Sequence, residues 1–203
     1  MIALTPLFLH LGSFGAFWIC VYSTTLTFTR SLSSYIYLPA FYSLAAGLGE
    51  VTMGVVISVM SKRIHDFGLK PTMYCAFVLN TATLLTMAAS VPQWATVGLT
   101  DEPAWIIQPN AILSVFMGFM VGLIDSCVNN VRNVICALAL PDHRSQAFAI
   151  SKFYQAGAGT ILMFISPYLS VYHYCFLLFS TLTLATCCFI YEAGKTERME
   201  EEE

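Results

Sequence analysis

Ala111 to Leu140 reads AILSVFMGFMVGLIDSCVNNVRNVICALAL, a run long enough to cross a bilayer that nevertheless carries Asp125, Asn129, Arg132 and Asn133. At about 100° per residue, positions 129, 132 and 133 fall within roughly 80° of position 125. Gly118, Gly122 and Cys136 extend the same stripe, and the opposite side is Leu, Ile, Val, Phe and Met. An ionisable group facing lipid costs about 2.5–3.5 kcal/mol at the centre of a span, so this stripe has to face protein or trapped water. The rest of the chain is therefore expected to be built to receive this helix.

Composition agrees with a membrane setting. Hydrophobic residues make up 57% of the 203, charged residues only 10%, and the mean hydropathy is +0.71. Apolar runs of about 20 residues recur along the chain, longer than the interior segments of soluble domains. The expected fold class is an all-α membrane protein of six transmembrane helices. Its domain is residues 1–191, followed by an acidic cytoplasmic tail over residues 192–203 that ends in Glu200 to Glu203. The seven cysteines show no Cys-x-x-Cys or Cys/His spacing and lie within apolar segments, so they read as packing residues. No metal site and no cofactor is expected, and nothing points to a nucleic-acid partner.

The spans are placed at Ile2 to Thr27, Tyr35 to Met60, Pro71 to Val91, Ala111 to Leu140, Gln146 to Ile165 and Tyr172 to Tyr191. The first has Gly12 and Gly15 for close helix contact, with His10 as a packing or interfacial histidine. On the second, Ser43, Gly47, Glu50, Gly54 and Ser61 recur at helical spacing, the row of small residues around a carboxyl that closely packed membrane helices show. A basic turn, SKRIHDFGLKP, follows it. The loop PQWATVGLTDEPAWIIQPN before the fourth span carries Trp94 and Trp105, residue types that settle at a headgroup boundary. The fifth span bears Lys152 and Gln155, with Lys152, Ala156, Gly159 and Met163 on one face. Lys62, Arg63, Lys70, Arg144, Lys195 and Arg198 fall on one side of the six spans and Arg30 alone on the other, which predicts an integral membrane protein with both termini cytoplasmic. Plasma and endolysosomal membranes are not distinguished by these features.

Spans two, four and five carry intramembrane charge and spans three and six carry none, a regularity that suggests a 3+3 repeat with the uncharged helices outermost. The candidate site is the intramembrane polar cluster of Glu50, Asp125, Asn129, Arg132, Lys152 and Gln155, whose formal charges cancel. Helical rise puts Arg132 about 12 Å from the inner end of its span, Lys152 about 9 Å, Glu50 about 15 Å and Asp125 about 22 Å. Arg132 is accordingly expected to pair with Glu50, or with Asp125 as the alternative. The cluster reads either as a path for substrate or protons or as a structural ion-pair network.

Through GLGEVTMG, the basic turn ending FGLKP, IDSCVNN and AFAISKFYQ, the chain from about Phe17 to Glu192 resembles the carboxy-terminal half of the UNC-ninety-three-like family of ion channel regulatory proteins, a branch of the major facilitator superfamily. The resemblance implies a twelve-span whole in two six-helix halves, with Glu50, Asp125, Asn129, Lys152 and Gln155 at motif positions. Arg132 stands where that family tends to have an apolar residue. The resemblance further implies partners: one member is similar to an accessory subunit of a potassium channel, and another escorts Toll-like receptors.

Three functions follow as expectations. The first is a non-enzymatic accessory or regulatory partner of another membrane protein, such as a potassium channel. The second is half of a major-facilitator-type secondary transporter, and the third a truncated product without independent activity. No nucleophile and base at recognisable spacing and no phosphate-cradling glycine loop argue for an enzyme. Six spans do not by themselves enclose a two-sided cavity, so the expected partners are the lipid bilayer and a channel, a receptor or a second six-helix half.

Overall fold

A computed structural model describes residues 2–63 and 69–201, without the side chains of residues 2, 139, 141 and 195–201. Six helical segments are long and apolar enough to cross a membrane: Thr5–Phe28, Leu38–Arg63, Leu69–Ser90, Ala111–Leu138, Arg144–Tyr168 and Val171–Gly194. They match the six expected spans, with ends shifted by a few residues. The first consists of α1 (Thr5–Ala16), a π-helical turn (Phe17–Val21) and α2 (Tyr22–Phe28); a short α3 (Arg30–Ser33) leads to α4 (Leu38–Arg63). Then come α5 (Leu69–Ser90), α6 (Ala111–Ala139), α7 (Arg144–Ile165) and α8 (Val171–Glu201). Helix α8 runs on through most of the segment expected as a tail. In the basic turn after α4, residues 64–68, Gly68 among them, lie outside the described residues.

The π turn interrupts the first span in its middle, and apolar periodicity gives no sign of it. Widening one turn brings neighbouring side chains onto the same side. Phe17 and Trp18 are both fully buried as a result. They join an aromatic ladder from Phe14 through Trp18 and Tyr22 to Tyr42 on α4, while Phe17 meets Tyr174 on α8. The Tyr42 hydroxyl donates to the Trp18 carbonyl oxygen at 3.0 Å.

Helix α6 is the hub. It packs most extensively on α4, next on α5, and also touches α7 and α1; α1 in turn lies along α7 and α8, and α5 along α8. The α4–α6 crossing is close enough to exclude side chains from its centre. A Cβ on Gly49 would collide with the Phe119 carbonyl oxygen, and one on Gly122 with that of Ala46; on Gly118 it would stand 2.6 Å from the Tyr42 oxygen. Such contacts replace the hydrophobic drive that lipid cannot supply between helices. Across the molecule, Gly12 of α1 makes the equivalent approach to the Gln155 carbonyl on α7, with Gly159 lying 3.3 Å from the Gly12 oxygen when given a Cβ.

This corrects the expected row on the second span. Ser43, Gly47, Glu50, Gly54 and Ser61 are exposed, nothing lies within contact of a Cβ on Gly47 or Gly15, and the helix pair uses Gly49 instead. A wheel assigns residues to a face, but which face meets the neighbour depends on how deeply each can sink into it. Gly49 is opposed by Gly122 and the backbone beside it, and Gly47 by nothing.

Loops at the Arg30 end stitch the spans together. Thr29 and Thr100 form a parallel bridge in which Thr100 N donates to the Phe28 oxygen at 2.9 Å, and Arg30 pairs with Asp101. The Thr96 hydroxyl donates to the Leu169 oxygen at 2.8 Å, and Val171 N to the Gln93 oxygen at 3.1 Å. The loop of residues 91–110 thereby ties the ends of the first and fifth spans to the third. Trp94 and Trp105 are exposed on it.

Candidate functional site

Two of the six expected site residues sit on neighbouring turns of α6 and are bonded to each other. Asn129 Nδ2 donates to Asp125 Oδ2 at 2.8 Å and to the Asp125 carbonyl oxygen at 3.0 Å, the contact that a four-residue helical spacing permits. Asp125 also opens onto a groove of about 270 Å³ that it shares with Glu50, Ser43, Gly47 and the first-span residues Phe14, Gly15 and Trp18. Here the small residues of α4 have their place: they line the groove and keep it open beside α1.

Arg132, Lys152 and Gln155 make a second group nearer the α6–α7 turn. Arg132 Nη1 donates to Gln155 Oε1 at 2.9 Å, and Lys152 Nζ donates to the same oxygen at 3.0 Å. The rest of the guanidinium is held by Asn133, whose Oδ1 accepts from Nε at 3.2 Å and from Nη2 at 2.9 Å. Arg132 is only 5% exposed, whereas Lys152 is open.

The expected pairing of Arg132 with Glu50 or Asp125 is therefore corrected. Glu50, Asp125, Arg132 and Lys152 make no ion pair with one another, and amide oxygens take the guanidinium. Depth alone suggested Glu50. However, Glu50 points into the groove on the α4 side, while seven residues of α6 separate Asp125 from Arg132 by about 10 Å along the axis. The cluster does come together on one face, since Asp125 lies within electrostatic range of Glu50, Arg132 and Lys152. Along that face carboxylates and cations are segregated.

Sequence reasoning missed the groove's aromatic wall, Phe14, Trp18 and Tyr42. The four-residue spacing of Phe14, Trp18 and Tyr22 was the available signal. His10, expected as a packing or interfacial histidine, lies in the interior and bridges neighbouring spans. His10 is fully buried, its Nδ1 3.0 Å from Thr181 Oγ1 on α8 and its Nε2 3.4 Å from Asn80 Nδ2 on α5. That arrangement joins three spans away from the charged face.

Six helices of membrane-spanning length and a glycine-tight crossing, with Glu50 and Lys152 left exposed on the spans, define a polytopic membrane protein. The family described as "Ion channel regulatory protein UNC-93" matches residues 1–190, and the chain belongs to it. It is 28% identical to the UNC93-like protein MFSD11 of Xenopus laevis over 206 aligned positions, 98% of this chain and 45% of that protein. To the Xenopus tropicalis UNC93-like protein MFSD11 it is 27% identical over 176 positions, 83% of this chain and 38% of the relative. The chain thus spans less than half the length of these curated relatives. No solved structure matches it.

Proposed function

We propose that the chain is a non-enzymatic membrane subunit that presents the face of Glu50, Asp125, Lys152 and Gln155 to further membrane helices, as an accessory or regulatory partner of another membrane protein. The observation that carries this reading is the exposure of Glu50 and Lys152 on membrane-spanning helices. Lipid does not solvate such groups, so the face calls for protein or enclosed water. The description of the family as ion channel regulatory supports a channel as the partner class.

A second reading, half of a major-facilitator-type transporter, is favoured by the groove between α1, α4 and α6 and by the helix pairing. Contacts of the second span with the fourth are mirrored by those of the first with the fifth, and contacts of the third with the fourth by those of the sixth with the first. That symmetry supports the 3+3 repeat. We take both termini as cytoplasmic from the basic side of the loops, with α8 beyond Gly194 standing clear of the membrane.

Purification in mild detergent followed by mass spectrometry tests the reading. The expected outcome is stoichiometric recovery of a channel, a receptor or a second six-helix half. A chain that is monodisperse and stable as a monomer in lipid nanodiscs, with no co-purifying membrane protein, would overturn it.

A further inference from the structure

In the Arg132 group, donors outnumber the acceptors that Gln155 and Asn133 bring to them. Gln155 Oε1 already accepts from both Arg132 and Lys152, and Asn133 Oδ1 accepts twice from Arg132. Each amide oxygen has two lone pairs, so both are saturated. A guanidinium has five N–H groups, of which three are used here, leaving two; an ammonium has three, of which one is used, leaving two. Four donors and two positive charges thus remain beyond what these two amide oxygens accept. The cations are near enough to repel each other, and Asp125, which accepts from Asn129, offsets this by a smaller attraction on Lys152 without bonding to either cation.

Neutral oxygen bridging two cations does not offset their repulsion. An anion with several oxygens would. We propose that Arg132 and Lys152, spaced by Gln155, form a binding site for a phosphate group, carried either by a lipid headgroup or by a soluble molecule. Arg132 is the buried, pre-oriented half of the site, its fork fixed by Asn133. Lys152 is the open half, through which the anion enters. Both lie on helices that start or end at the α6–α7 turn: Arg132 is seven residues from Ala139 and Lys152 eight from Arg144, each about 11 Å from the turn. The proposal rests on the open face described above and not on the identity of any protein partner.

Thermal melts of the 203-residue chain in phosphate-free maltoside micelles test it, with sodium phosphate replacing sodium chloride at constant ionic strength, and with phosphatidic acid added to the micelles as the second arm. Phosphate at ten times its Kd should raise Tm by about 3 °C. A lipid source would give the rise with phosphatidic acid and not with free phosphate. Lys152→Gln, a change at an exposed position, should abolish the response. Gln155→Glu places a carboxylate between the two cations, and should raise Tm without phosphate while removing the further rise on adding it. Equal melts of the unmodified chain in all buffers and lipids would overturn the proposal, as would an undiminished response in Lys152→Gln. An acidic side chain from a partner helix as the true occupant would produce the first of these results, and recovery of such a partner would leave the accessory reading intact.

Discussion

At the scale of single residues, the membrane makes glycine and amide groups more informative than charge. Gly122 and Gly47 look alike in sequence, each among small neighbours, yet one sits under the Ala46 carbonyl and the other faces the open groove. Gly122→Leu should therefore force α4 and α6 apart, costing about 3 kcal/mol or more in folded protein. Gly47→Ala should stay within about 0.5 kcal/mol of the parent. Size-exclusion profiles and melts of the two variants side by side check this. Tyr42→Phe removes one buried hydrogen bond to Trp18 and should cost about 1 kcal/mol, read from the same melts. The members of the polar cluster were legible because ionisable residues within apolar runs stand out. Their partners were not, since a wheel has no information on which amide of the next helix arrives at the same height. Gln155 reaches Arg132 because Gly12 lets α1 lie against α7 at that level, and no local pattern encodes the coincidence.

Whole elements show the same division. Hydrophobic length alone placed all six spans; the polar stripe of Ala111 to Leu140 lies on α6, which gathers α4 and α5, while α7 and α8 pack chiefly on α1. The π turn at Phe17–Val21 escaped notice because a five-residue widening leaves composition and length unchanged. Its test is a deletion. Removing Ile19, which is exposed, takes out the extra residue, so the turn should close to ordinary α-helix with Thr5–Ala16 and Tyr22–Phe28 nearly in their present relative orientation. Gly12 would stay on α7 and His10 on Thr181. Folded yield should fall only in part, through lost packing of Phe17 and Trp18, whereas removing Leu9 from ordinary helix, which turns residues 5–8 by about 100°, should abolish it. Detergent-extracted fluorescence profiles distinguish the two outcomes.

For the whole molecule, the loops at the Arg30 end act as a clasp across the first, third and fifth spans. Its exposed ion pair contributes little: Arg30→Ala should lower stability by less than about 1 kcal/mol, and less again at high salt. Backbone bridges carry the clasp instead. Topology follows from the same ends, and a tag placed between Pro92 and Asn110 should be reached by an impermeant reagent from outside intact cells, whereas a tag after Glu203 should need permeabilisation. A tag in that loop protected from outside, with the other accessible, would reverse the orientation.

His10 has its partner on Thr181, 171 residues away, and α1 finds its broadest contacts on α7 and α8. A ribosome adding about 5–20 residues per second takes roughly 10–30 s to cover that distance. During this interval the imidazole of the first span gains its partners one at a time, Asn80 with the third span and Thr181 with the sixth, and the Gly12 notch is filled by Gln155 of the fifth. Synthesis halted before Val171 would leave His10 with Asn80 but without Thr181, so the sixth span is the one that completes the setting of the first.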